Sequence, residues 1–150
     1  MCIDYTDDID DDKSHYELDY YPPRALWCQQ PSVLNSGLLE ELTDDQRKLQ
    51  ESLYEIISSE AAHLRYLNVA INVFKNAPEF LAATKGDPSL AVLSPQEERN
   101  LFLNIIDVQT ASQSLFRDLH QRYTQHGSPR MPHCSDILAD FAANQSKVKN

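Results

Sequence analysis

The residues with the most distinctive chemistry lie on one face of a helix predicted over residues 49–74, LQESLYEIISSEAAHLRYLNVAINVF. At about 100° per residue, Lys48, Glu55, Ser59, Ala62 and Tyr66 fall along one side of this helix. Small side chains allow another backbone to approach closely, and a carboxylate among them accepts hydrogen bonds. This face therefore either docks a partner, with Glu55 as acceptor, or is an ordinary solvent face that needs none.

The opposite side of the same helix is apolar. Its stripe, with members three and four residues apart, consists of Leu49, Leu53, Ile56, Ile57, Leu64, Leu67, Ile71 and Phe74. A capping box at Thr43–Gln46 opens the helix, and Asn76-Ala77-Pro78 ends or kinks it. A second capping box at Ser94–Glu97 opens another long helix, which His126-Gly127 ends, and a third begins near Ser135. We predict an all-α fold, an elongated antiparallel helical bundle.

Composition excludes several classes of function. The chain has 150 residues, enough for one domain, and its formal net charge of −10 argues against nucleic acid and against anionic membrane surfaces. No apolar run is long enough to cross a bilayer, and the acidic N-terminus does not resemble a signal peptide, so we expect a cytoplasmic protein. His120, His126, His133 and Cys134 fit no common zinc spacing, and no glycine-rich phosphate loop is present. We therefore expect no metal, no cofactor and no catalytic residue.

The N-terminus differs in composition from the rest of the chain. Residues 4–19 hold eight acids and one lysine. Such a run is typical of a disordered tail, and we assign residues 1–25 to it. Pro22-Pro23 stiffens its end, and the lead-in segment over residues 26–42 contains Trp27, which we expect to pack against the bundle.

Four sequence blocks carry a family resemblance. LYEIISSEAAHLRYLNVAINVF (53–74) resembles the first conserved region of the Dbl-homology domain, found in Rho-family guanine nucleotide exchange factors, and residues 93–123 resemble the second. CSDILADF (134–141) is similar to the start of the following helix. PSVLNSGLLEELTDDQRKLQ (31–50) is similar to the lead-in of the ephexin-type subgroup. We therefore assign residues 43–145 to a partial Dbl-homology domain.

The resemblance implies a function. Members of this family are GTPase regulators without covalent chemistry, which stabilise the nucleotide-free form of a Rho, Rac or Cdc-type small GTPase and thereby act on the actin cytoskeleton. Their first helix carries a Glu that accepts hydrogen bonds from the GTPase, and this residue corresponds to Glu55; Ser52, Ser59 and Ala62 flank it as weaker contact candidates. Ephexin-type members also carry an inhibitory, tyrosine-bearing segment, so Tyr16, Tyr20 and Tyr21 are candidates for a tyrosine kinase. Partners of the protein would recruit it from the cytoplasm to the plasma membrane.

The resemblance stops near residue 141. The family's third conserved region has no counterpart in this sequence, so we expect a domain truncated at its C-terminus with little exchange activity by itself. The alternative function is a non-catalytic helical binding module, or a regulatory isoform that competes for partners of a full-length exchange factor. The sequence does not identify the GTPase, because selectivity in this family resides largely in the missing half.

Overall fold

The computed structural model describes residues 17–77 and 93–147, and every regular element in these ranges is helical. The α-helices are α1 (Pro31–Leu34), α2 (Leu38–Glu41), α3 (Asp44–Val69), α4 (Pro95–Phe102), α5 (Ile105–His126) and α6 (Ser135–Lys147). A 3₁₀ turn, Trp27–Gln29, precedes α1, and a π-helical segment, Ala70–Lys75, follows α3. The predicted all-α class is confirmed. None of the helices within the described ranges combines the length and apolarity needed to span a membrane.

Local sequence signals set most helix ends. The Thr43 N–H donates to Gln46 Oε1 at 2.9 Å and the Gln46 N–H donates to Thr43 Oγ1 at 3.3 Å, so the predicted capping box is present. Ser94 and Glu97 form the same reciprocal pair, at 2.8 and 3.2 Å. At the other end, α5 stops before Gly127, which has a φ of 65° that favours glycine. The third predicted helix begins at Ser135, as expected.

The second long helix is interrupted, contrary to the prediction of one helix from residue 95 to 126. Leu103 has a φ of 43°, so the backbone leaves the helical conformation between α4 and α5. A leucine rarely adopts this conformation, and no glycine or proline marks the position. A side chain from outside α4 lies beside the interruption. Lys75 lies 3.7 Å from a Glu98 carboxylate oxygen and 5.5 Å from the centre of the Phe102 ring.

The chain divides into two compact units, the first formed by Met1–Ala62 with Leu115–Asn150 and the second by His63–Ser114. In the first unit, α3 buries Gln50, Tyr54, Ile57 and Ala61, spaced four, three and four residues apart. This buried line is rotated by about 70° from the predicted stripe centred on Leu53. Leu49, predicted to be buried, is 50% exposed.

The rotation follows from a segment that we predicted to be disordered. Tyr21 is 1% exposed, and its ring packs against Tyr54, Phe116, His120 and Tyr123 with ring centroids 5.6 to 6.2 Å apart. The Tyr21 hydroxyl is hydrogen-bonded to Nδ1 of His120 at 2.8 Å. The assignment of residues 1–25 to a disordered tail is therefore wrong for residues 17–25, and residues 1–16 lie outside the described ranges.

The lead-in segment is anchored by Trp27, as predicted. Its side chain is fully buried, and its indole N–H donates to the Pro129 carbonyl at 2.8 Å. A buried tryptophan contributes a large apolar area, and the hydrogen bond satisfies its single polar atom. The segment therefore belongs to the core of the first unit.

In the second unit, α3 and α5 run antiparallel. Asn68 Oδ1 accepts a hydrogen bond from Gln109 at 2.7 Å, and the His63 ring lies 3.4 Å from the Ser112 hydroxyl, so residue numbers rise along one helix as they fall along the other. Leu64 and Ile71 are buried. Phe74, the last member of the predicted apolar stripe, is 56% exposed.

We expect the free energy of unfolding to fall as the pH is lowered from 7 to 5. Burial lowers the pKa of His120 below its usual 6.5, with Glu17 acting weakly in the opposite direction, whereas the unfolded chain keeps the ordinary value. Above pH 6.5 both states are neutral and the His120 contribution is complete. Below it, the unfolded state takes up the proton first, so stability is lost by up to about 1.4 kcal/mol per pH unit.

Urea unfolding at several pH values tests this expectation. His120→Gln keeps a hydrogen-bond acceptor for Tyr21 but does not titrate, so it should flatten the pH dependence. His133→Gln, at an exposed position, is the matched control and should retain the wild-type slope. An unchanged slope in His120→Gln would contradict the assignment.

Candidate protein-binding site on helix α3

The four candidate contact residues share one side of α3, within the first unit. Ser52, Glu55 and Ser59 are exposed, and Ala62 is half-buried. Their spacing of three, four and three residues keeps them within about 80° of one another around the helix. The structure therefore brings all four together on an accessible face.

Glu55 is available as an acceptor. Among the described residues, its carboxylate makes neither a hydrogen bond nor an ion pair. Its neighbours three and four residues away on the helix are Glu51, Ser52, Ser58 and Ser59, and none of them is a cation that would neutralise it. A partner presenting N–H or O–H donors would therefore find the carboxylate exposed and unshielded.

The serines beside Glu55 bond back to their own helix. The Ser52 hydroxyl donates to the Lys48 carbonyl at 2.9 Å, and the Ser59 hydroxyl donates to the Ile56 carbonyl at 3.1 Å. Because each hydroxyl proton is donated to a backbone carbonyl, the serine oxygens remain available to a partner mainly as hydrogen-bond acceptors. The two side chains also present only a small contact surface. Glu55 is the one charged side chain among the four candidates.

Sequence reasoning missed the two residues that hold the start of this face in place. The Glu51 carboxylate accepts hydrogen bonds from the backbone N–H groups of Trp27 at 2.8 Å and Cys28 at 2.9 Å, which caps the 3₁₀ turn. The adjacent Gln50 side chain accepts a hydrogen bond from the Met131 N–H. No local motif indicated either contact, because the partners lie 23 to 81 residues away.

The Cys28 thiol responds to the same carboxylate. Its hydrogen bond to Glu51, with partial burial, raises the pKa of Cys28 above its usual value. The thiol is therefore protonated at neutral pH and is not an activated nucleophile.

The three tyrosine candidates differ in accessibility. Tyr16 lies outside the described residues, Tyr20 is 65% exposed, and Tyr21 is almost fully buried. Burial, with smaller contributions from Tyr123 and Tyr54, raises the pKa of Tyr21 above its ordinary value. A kinase reaches the Tyr21 hydroxyl only if the segment leaves the core, whereas Tyr20 is accessible in place.

Comparison with known proteins places these elements in a family context. The RhoGEF domain family matches residues 52–149. The chain is 33% identical over 123 residues to Rho guanine nucleotide exchange factor 16 of Homo sapiens, which covers 82% of this chain and 16% of the relative. It is 34% identical over 117 residues to Rho guanine nucleotide exchange factor 15 of Mus musculus, covering 78% of this chain and 12% of the relative. Ephexin-1 of Homo sapiens is 30% identical over 123 residues, covering 82% of this chain and 16% of the relative. The chain thus spans less than a fifth of the length of these curated relatives.

Glu51 and Glu55 are one helical turn apart, and we expect very unequal losses of stability when each is truncated. Glu51→Ala leaves two backbone N–H groups of the lead-in segment without their charged acceptor, so the free energy of unfolding should fall by roughly 1.5–3 kcal/mol. Glu55→Ala, the matched control, should change it by less than about 0.5 kcal/mol because the side chain is exposed.

Both variants are measured by urea unfolding followed by fluorescence of Trp27, the sole tryptophan, which lies at the contact concerned. Equal stability of the two variants would show that the Glu51 contacts do not hold the lead-in segment.

Proposed function

Because the chain belongs to the RhoGEF domain family, we propose that it binds a Rho-family small GTPase through the Glu55 face of α3 and favours the nucleotide-free state of that GTPase. The observation that carries the proposal is the exposed Glu55 carboxylate, which has no partner among the described residues and lies where the family resemblance places the GTPase contact. The three small neighbours, Ser52, Ser59 and Ala62, support it because they permit close approach of a partner backbone.

The proposed activity works through binding energy alone. A protein that binds the nucleotide-free GTPase more tightly than the loaded form shifts the GTPase population toward release of its nucleotide. No bond of the substrate is made or broken by this chain, so it is a GTPase regulator.

We expect Glu55→Ala to weaken binding to the nucleotide-free GTPase by roughly 10- to 150-fold, since a charge-assisted hydrogen bond contributes about 1.5–3 kcal/mol. Glu55→Gln keeps an acceptor oxygen without the charge, and its affinity should lie between those of Glu55→Ala and the wild type. Asp140→Ala, which removes an exposed carboxylate from α6, is the matched control and should bind as wild type does.

The measurement is the affinity of the whole chain for Rho, Rac and Cdc-type GTPases, each nucleotide-free and GDP-loaded. Equal affinity for the two states, or no loss in Glu55→Ala, would refute the proposal. Release of fluorescent GDP from the same panel then separates two functions. Acceleration that Glu55→Ala abolishes indicates an exchange factor. Binding without acceleration by a folded chain favours a helical binding module that competes for partners of a larger exchange factor.

We also propose that a tyrosine kinase regulates the chain through its N-terminal segment. A phosphate adds about −1.5 to −2 charges, which the apolar surroundings of Tyr21 would not accommodate. Phosphorylation there would therefore keep the segment undocked. Tyr20, whose ring packs on His120 at a centroid distance of 5.3 Å, is exposed and is modified without undocking.

We expect a broad-specificity tyrosine kinase to modify Tyr20 several-fold faster than Tyr21, because only Tyr20 is accessible in the docked segment. Phosphopeptide mass spectrometry over time gives both rates in one sample. The His120→Ala variant removes the hydrogen bond to Tyr21 and should raise the Tyr21 rate selectively. If Tyr21 is modified as fast as Tyr20 in the wild type, the segment is not held as described.

A further inference from the structure

A cavity of about 680 Å³ opens beside the first turns of α3, within the first unit. Cys28 of the 3₁₀ turn and Leu39 of α2 form one part of its lining, and α3 supplies Arg47, Lys48, Glu51 and Ser52. This volume lies in the range of protein cavities that bind small molecules, and it exceeds what one side chain requires. Neither the family resemblance nor the Glu55 face accounts for it.

The cavity wall is anchored to α3. The Glu51 carboxylate binds two successive backbone N–H groups, at Trp27 and Cys28, and the buried Trp27 indole holds the same turn from the other side. The wall therefore keeps its position relative to α3. The same bonds occupy the Glu51 carboxylate, so this acid offers little repulsion to an incoming negative charge.

The lining of the cavity includes two cations, Arg47 and Lys48, and Arg47 Nε also donates to the Leu42 carbonyl at 3.3 Å. Arg47 lies 3.9 Å from Asp44 and Lys48 lies 3.6 Å from Asp45, and these acidic side chains are 88% and 95% exposed. Such exposed pairs contribute little to stability, so a better-placed carboxylate displaces them readily. Leu39 adds an apolar surface to the same lining. The lining therefore suits an apolar side chain that is next to an acidic one.

The cavity is continuous with the Glu55 face. Ser52 lines the cavity and is also one of the four candidate contact residues on that face. Lys48, one turn earlier, lies about 10 Å along the helix axis from Glu55. A protein bound over Glu55 therefore extends to the cavity without any movement of α3.

We propose that this cavity is a second contact site for the GTPase that binds the Glu55 face, and that it receives an apolar side chain adjacent to a carboxylate on the GTPase surface. The inference rests on the proposed function. It assigns Lys48 and Arg47 to recognition of the acidic group and Leu39 to the apolar one, and it makes the lead-in segment part of the binding surface.

Cys28 reports occupancy of the cavity directly. Alkylation of the whole chain by iodoacetamide, followed at each cysteine by mass spectrometry, should be at least 5-fold slower at Cys28 in the presence of saturating nucleotide-free GTPase. GDP-loaded GTPase at the same concentration should give little protection, and Glu55→Ala should remove it. Cys134, which is 8% exposed, shows in the same sample that the fold stays intact.

A second experiment reverses the charge of Lys48. Lys48→Glu should weaken binding to the nucleotide-free GTPase by 5-fold or more. Arg99→Glu, a reversal of an exposed cation on α4 in the second unit, should leave it unchanged.

The outcomes separate the two proposals. Binding that depends on Glu55, with no protection of Cys28 and no effect of Lys48→Glu, would overturn the cavity site and leave the Glu55 face standing. Absence of any GTPase binding by the folded chain would overturn both. Protection of Cys28 together with the loss in Lys48→Glu would establish the cavity as part of the interface.

Discussion

Helix α3 has to bury one side while its opposite side stays in water, and the first unit is arranged around that requirement. Tyr54, Ile57 and Ala61 lie on its buried side, and Ala61 is completely inaccessible because its small side chain lets neighbouring atoms close over it. The Tyr21 ring packs against Tyr54, and the rings of Phe116 and His120 pack against Tyr21 and each other to build the adjoining core. Burying apolar area at roughly 25 cal/mol per Å² makes these rings a main source of the unit's stability.

Two glutamates one turn apart show how the same chemistry serves structure and function. Glu51 and Glu55 are separated by only about 40° around α3. Glu51 falls under the lead-in segment and caps two backbone N–H groups, whereas Glu55 remains in solvent without a partner among the described residues. The first carboxylate fixes the segment beside the candidate face. The second is exposed and is the acceptor that we propose for a partner outside the chain.

The N-terminal segment connects stability with accessibility. Its hydrogen bond from Tyr21 to His120 joins residues 99 positions apart inside an apolar cluster. That bond keeps one tyrosine buried next to one that is exposed, so adjacent residues of the same type differ in their availability to other proteins. Burial lowers the pKa of His120, so we expect docking of the segment to weaken when this histidine is protonated.

The sequence by itself determined the helical class, both capping boxes, the end of α5 at Gly127 and the start of α6, because each depends on contacts within one turn. The family could likewise be predicted from short sequence blocks, which the match over residues 52–149 confirms. The sequence also placed Glu55 and its small neighbours on one face, since helical periodicity fixes their relative angles. Only the tertiary structure decided which side of α3 is buried and that the Glu51 carboxylate accepts hydrogen bonds from the lead-in segment. It also decided that Tyr21 is buried and that the helix is interrupted at Leu103. Each of these depends on partners distant in sequence, such as Trp27 for Glu51 and His120 for Tyr21. No local pattern encodes such partners, because their proximity arises only when the helices pack.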